Sequence, residues 1–133
     1  MIEVNAVSTK QDRVVLLVED EMLVRLIGSD ALSDAGYTVV EAETADEAVK
    51  LLEGGGEVHL LFTDIRMPGS MDGLALAELV RQRWPDIRIL LTSGDTLPTR
   101  EQIPDEGSFL QKPYRVDALR AEVQRLICET PSI

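Results

Sequence analysis

Short apolar runs, each followed by a stretch of helical period, recur about five times along this chain, and that alternation limits its fold more than any other feature. "VVLLV" at 14–18 is β-branched and uninterrupted, as a strand buried on both faces requires. From Asp20 the period changes. Val24, Ile27, Ala31 and Ala35 recur at steps of three and four and predict the core stripe of a first helix, with Gly36 at its C-terminal stop. "TVVEA" at 38–42 predicts a second strand. Thr44 and Glu47 have capping-box spacing before a helix with Ala45, Ala48, Val49 and Leu52 on its stripe, and "GGG" at 54–56 ends it. "VHLLFT" at 58–63 predicts a third strand, followed by a helix near 73–83 that carries Leu76, Leu79 and Val80 and stops at Pro85. "IRILLT" at 87–92 and "GSFLQ" at 107–111 predict strands four and five, and Val116, Leu119, Val123 and Leu126 mark a last helix. The expectation is an α/β fold, a doubly wound five-stranded parallel sheet with helices on both faces. In 93–106, "SGDTLPTREQIPDE", two prolines and little apolar periodicity leave room for a turn of helix at most.

Composition narrows the function classes. A chain of 133 residues with 44% hydrophobic and 28% charged residues is of one-domain size and globular rather than disordered. Its net charge of −11 argues against nucleic acid or an anionic membrane as partner, since both are met by basic surface. No apolar run approaches a membrane span, and "MIEVNAVSTKQDR" lacks the core and cleavage site of a signal peptide, so a cytoplasmic protein is expected. The single cysteine, Cys128, excludes an internal disulfide.

In open parallel sheets the site lies at the carboxyl ends of the strands. Glu19 and Asp20 end the first predicted strand, Asp64 follows the third, Thr92 and Ser93 the fourth, and Lys112-Pro113 the fifth. Three carboxylates brought together repel one another unless a divalent cation sits among them, and hard oxygen ligands in that number suit Mg²⁺. Thr92 and Lys112 then supply a hydrogen-bond donor and a charge placed for a phosphoryl group. No one of these residues is specific by itself. Their delivery by four separate strand ends is the signal. His59, at the opposite rim, reads as structural or solvent-facing rather than as a phosphoryl donor.

The set "VEDE", "TDIRMPGSMDG", "LLTSGD" and "LQKPY" resembles the receiver domain of bacterial two-component response regulators, over about residues 13–128. The resemblance implies a flavodoxin-like receiver fold in which Asp64 accepts a phosphoryl group from the phosphohistidine of a sensor histidine kinase or phosphotransfer protein. It implies that Glu19, Asp20 and Asp64, with the backbone carbonyl of Arg66, hold Mg²⁺. Thr92 matches the hydroxyl that meets the phosphoryl group, Lys112 the invariant lysine, Pro113 a proline that follows through a cis bond, and Phe109 the aromatic switch position. The chemistry expected is confined to the protein's own phosphorylation and slow autodephosphorylation, so the chain is not expected to be an enzyme toward other substrates. The resemblance also implies a downstream protein target to which the signal passes.

This sequence departs from the family pattern in three places. "MPGSMDG" has one residue more than the commonest loop form, Arg66 puts a basic side chain two past the acceptor, and the family's fourth helix, falling in 97–106, is expected to be short or disordered. The organisation expected is a flexible leader at 1–12, the receiver at 13–128 and a tail at 129–133, as a stand-alone, single-domain regulator and a monomer. Other readings match parts of this pattern. A haloacid-dehalogenase-like phosphatase also uses an aspartyl nucleophile, but wants it after the first strand. An adaptor with an idle site would have no need of the full set of site residues. On a helical wheel of about 100° per residue, Met22 and Leu26 fall opposite the predicted core stripe of the first helix, with Ser29 and Ser33 continuing that face. They are the expected docking patch for the kinase.

Overall fold

The computed structural model describes residues 13–103 and 107–128; the predicted leader (1–12), the predicted tail (129–133) and residues 104–106 lie outside the described residues. Five strands, β1 (Val14–Val18), β2 (Thr38–Ala42), β3 (Leu60–Asp64), β4 (Arg88–Ser93) and β5 (Ser108–Gln111), alternate with helices α1 (Met22–Asp34), α2 (Ala45–Glu53), α3 (Gly73–Arg83) and α4 (Val116–Cys128). All strand pairs are parallel, in the order β2-β1-β3-β4-β5. This is the doubly wound, flavodoxin-like order, with its topological switch between β1 and β3.

Both faces of the sheet are apolar because successive side chains point to opposite sides. Leu16, Val18, Leu61 and Leu91 pack with Ala48 and Leu52 of α2 and Leu76 and Val80 of α3. Val15, Leu17, Phe62 and Leu90 pack with Leu32 of α1 and Leu119 and Val123 of α4. The predicted stripe of α2 is the one that packs, and Thr44 caps the helix by accepting a hydrogen bond from the Glu47 N–H at 3.1 Å. Strand β3 starts two residues later than its apolar run. His59, just ahead of it, accepts from the Val14 N–H through Nδ1 at 3.0 Å while its own N–H donates to the Val14 carbonyl. The imidazole, whose Nε2 stands 3.6 Å from Glu57 Oε2, is therefore a structural clasp at the rim opposite Glu19, Asp20 and Asp64.

The predicted stripe of α1 needs correction. Its buried residues are Gly28, Ser29, Ala31 and Leu32, and Ile27 is 56% exposed. Ser29, expected on the outer face, is buried because its hydroxyl donates to Glu41 Oε2 on β2 at 2.9 Å. Met22 and Leu26 are exposed as expected.

Between β4 and β5 the described residues form one 3₁₀ turn, Arg100–Gln102, instead of a full helix. Its internal backbone bonds are Gln102 N–H to Thr99 O and Ile103 N–H to Arg100 O, and Leu97 is 68% exposed. With so little apolar surface buried, local opening costs little. Hydrogen exchange is expected to be fastest, within residues 13–103, at the amides of 95–103. Protection there comparable to β3 would show that tertiary packing holds the segment despite its sequence.

Candidate functional site

The carboxyl ends of β1, β3, β4 and β5 form one rim. Asp64 is the last residue of β3 and is buried; it pairs in register with Thr92 on β4. Glu19, directly after β1, is also buried, and Asp20 beside it is exposed. One carboxylate oxygen from each of Glu19, Asp20 and Asp64 lies within 4.8 Å of the others. Lys112, directly after β5, reaches back over the rim. Its ammonium donates to Asp64 Oδ2 at 2.9 Å and stands 2.9 Å from Glu19 Oε1. The Lys112-Pro113 peptide bond is cis.

These contacts set the charge states. Burial pushes the Glu19 carboxyl above its usual range, and the hydrogen bonds from Lys112 and from the Glu21 N–H only partly offset that. Lys112 is moved the other way. Burial alone would lower it, but the hydrogen bonds and charges of Asp64 and Glu19 outweigh burial and hold the ammonium well above the ordinary lysine range. One ammonium is shared by two carboxylates, so both pairings act on the lysine. Three carboxylates against one ammonium still leave the site short of positive charge.

The remaining oxygens differ in availability. Asp64 Oδ1 accepts from the Arg66 N–H at 3.2 Å, and Glu19 Oε2 from the Glu21 N–H at 3.1 Å. Asp20 carries no such bond among the described residues and is the most open ligand. Thr92 is fully enclosed, and its Oγ1 has no hydrogen-bond partner among the described residues. A buried hydroxyl left unpaired costs about 1–3 kcal/mol, so its persistence beside Asp64 points to a partner that is not part of the chain. Hard carboxylate donors around an open cleft of ≈ 330 Å³, lined by Asp20, Asp64, Arg66, Gly94 and Lys112 among others, fit a divalent cation together with a phosphoryl group.

The sequence matches the family model of the response regulator receiver domain over residues 15–124. The chain belongs to that family. It is 38% identical over 117 residues to the sensor kinase CckA of Brucella abortus, an alignment covering 85% of this chain and 12% of that protein. The crystal structure of a response regulator receiver protein from Sinorhizobium medicae superposes with a TM-score of 0.78 at 28% identity, covering 87% of this chain and 94% of the other. That of the response regulator protein TrrA from Thermotoga maritima, solved in complex with Mg(2+)-BeF, gives a TM-score of 0.75 at 29% identity, covering 86% and 98%. The chain spans 12 to 25% of the length of the curated relatives CckA and NtrC that it matches. Receiver domains are the phosphoacceptors of two-component signalling, and this chain has that function. The phosphatase alternative finds no support, because the buried aspartate follows β3 and the acidic pair comes first.

Within this receiver domain the structure brings together Glu19, Asp20, Asp64, Thr92 and Lys112, as expected. Arg66 is exposed at the lip of the cleft, where Nη1 lies 3.5 Å from Thr96 Oγ1. Phe109 is half-buried on the α2/α3 face, in register with Leu91. In the loop that follows Asp64, Gly69 has φ 110, and Ser70 Oγ donates to the Asp46 carboxylate at the start of α2, which ties the loop to that helix.

Two residues of the site escaped the sequence reading. Gly73 opens α3 against the backbone of Asp64, so close that a Cβ there would stand 1.8 Å from the Asp64 carbonyl oxygen. Glycine at the first position of a helix, where propensity disfavours it, was the available signal. Tyr114 packs on Phe62 with ring centroids 5.8 Å apart and faces Gly28 of α1; burial, and then the nearby Glu19 charge, push its hydroxyl up to about 12.

Proposed function

We propose that Asp64 is the phosphoacceptor, taking a phosphoryl group from the phosphohistidine of a sensor kinase or phosphotransfer protein. The observation that carries this is the unpaired, buried Thr92 hydroxyl standing in register beside an Asp64 already held by Lys112. An Asp64 carboxylate oxygen forms the new bond to phosphorus as the phosphorus–nitrogen bond breaks, and the histidine ring leaves with the electron pair. Lys112 neutralises charge on the transferring oxygens, and positioning with charge compensation is most of what phosphoryl transfer asks of a protein. Glu19, Asp20, Asp64 and the backbone carbonyl of Arg66 are the residues that would hold Mg²⁺, which supplies further positive charge to those oxygens when bound. Afterwards the Thr92 hydroxyl turns to a phosphoryl oxygen, and Phe109 follows into the space it leaves. Labelling with a small phosphodonor tests the reading: one retained phosphoryl group per chain is expected, whereas many turnovers with none retained would indicate a phosphatase.

The kinase docks on α1. Met22, Leu23, Leu26 and Ile27 expose apolar side chains there. Beside them an apolar groove of ≈ 350 Å³, lined by Val24, Ile27, Gly94, Lys112, Pro113 and Tyr114, shares Gly94 and Lys112 with the acidic cleft. A partner helix seated on this patch brings its histidine to Asp64. Leu26→Glu is expected to cut transfer from the cognate kinase at least tenfold, about 1.4 kcal/mol, with small-donor labelling unchanged. Equal transfer in both assays would remove the docking role, and equal loss in both would indicate misfolding.

A further inference from the structure

Arg25, one turn into α1, is 11% exposed although it is a surface-type residue on an outer helix. Its Nη1 donates to the backbone carbonyl of Glu19 at 2.8 Å, and its Nε donates to Glu41 Oε1 on β2 at 3.1 Å. Glu43 Oε2 stands 3.6 Å from Nη2. The second oxygen of Glu41 is taken by the buried Ser29 hydroxyl at 2.9 Å, which fixes the carboxylate against which the guanidinium rests. The Glu19 N–H donates to Ala42 O at 3.1 Å. Residue 19 is therefore held at both ends of its backbone, by β2 on one side and by Arg25 on the other.

The carbonyl that Arg25 holds belongs to the peptide leading into Asp20. The Asp20 carboxylate makes no hydrogen bond to the described residues, and Glu21, the N-cap of α1, makes no side-chain cap. What aims Asp20 across the cleft is thus the orientation of the Glu19–Asp20 peptide. A planar guanidinium can hold a carbonyl and a carboxylate at once in fixed geometry, and a lysine ammonium cannot. We propose that Arg25 is a positioning residue: braced by Glu41 and Ser29, it orients the Glu19–Asp20 turn and so presents Asp20 to the divalent cation. The proposal rests on the reading of these carboxylates as a Mg²⁺ site.

Charge and position predict opposite signs. Removing a cation near three carboxylates should, by electrostatics alone, tighten Mg²⁺ binding. Removing a positioning group should weaken it, and loss of such supporting contacts typically costs about 10–100-fold in metal affinity. Amide chemical-shift titration of the unphosphorylated protein with Mg²⁺ distinguishes them. Arg25→Met is expected to weaken Mg²⁺ binding about tenfold, and Arg25→Lys, which keeps the charge and loses the fork, to weaken it as well. Tighter binding by Arg25→Met with Arg25→Lys unchanged would overturn the proposal, and so would equal affinity in all three proteins. Thermal melting without metal shows whether each variant is folded, and Arg25→Lys decides the matter if Arg25→Met is not. Failure of the unsubstituted chain to bind Mg²⁺ would overturn the metal reading itself, whereas binding that survives both substitutions overturns only the role of Arg25.

Discussion

Asp64→Asn is expected to reduce labelling by a small phosphodonor to background while leaving the fold standing. A carboxamide matches the carboxylate in shape but lacks the charge and lone-pair strength to attack phosphorus. Its effect on stability should be small for reasons visible at the site. Lys112 would keep Glu19 at 2.9 Å, so the ammonium is not left unpaired, and the Asp64 charge that helps raise the Glu19 carboxyl disappears. The amide oxygen can go on accepting from the Arg66 N–H, which meets Asp64 Oδ1 at 3.2 Å. One ion pair is lost and one repulsion is relieved, and because the ammonium keeps Glu19 no buried charge is left uncompensated, so the melting temperature should move by only a few degrees in either direction. Intact-mass analysis after incubation with the donor and Mg²⁺, run beside a thermal melt, reads both quantities. A phosphoryl group still carried by folded Asp64→Asn protein would sink the acceptor assignment. A large fall in melting temperature would instead show that Asp64 is a structural anchor of β3.

The strands and the rim were legible in the sequence because the same physics writes both. A strand buried on both faces must be apolar throughout, so Asp64 and Glu19 stand out where the apolar run breaks off. Parallel topology then sends all those breaks to one edge. The short excursion between β4 and β5 was legible too, through its prolines and missing stripe. The inward face of α1 was not. Met22, Leu23, Val24, Leu26, Ile27, Ala31 and Leu32 ring the helix with apolar side chains, so hydropathy cannot choose a side. The choice is made by partners distant in sequence: Glu41, which draws Ser29 in, and Tyr114, whose hydroxyl would stand 3.2 Å from a Cβ on Gly28. Arg25 escaped for a related reason. Its main partner is a backbone carbonyl, and carbonyls leave no mark on residue identity.

Gly73→Ala should be the most disruptive single-methyl change in the described chain. A Cβ at residue 73 would meet Asp64 O at 1.8 Å, Asp64 C at 2.7 Å and the Ile65 Cα at 2.8 Å. All three are backbone atoms at the end of a buried strand, so no side chain can swing aside to admit the methyl group. Either the start of α3 lifts away or the end of β3 is pushed back. Lifting α3 strains the Gly73 N–H bond to Ile65 O at 2.8 Å and the cap that Asp72 makes to the Ala75 N–H at 2.9 Å. Pushing β3 moves the peptide that carries the Asp64 side chain. Overpacking of a well-filled interior typically costs about 1–3 kcal/mol, and a clash with rigid backbone belongs at the upper end. That corresponds to a fall of about 10 °C in melting temperature for a domain of this size. Labelling of whatever remains folded should fall more steeply than stability does, since a displacement of about 1 Å at a reacting group can cost about 100-fold in rate. Gly56→Ala is the matched control: a Cβ there meets nothing within 4 Å and the backbone is not left-handed. It should melt within about 0.5 kcal/mol of the unsubstituted chain and label normally. A Gly73→Ala protein indistinguishable from that control in both measurements would mean that α3 does not rest on the Asp64 backbone in solution.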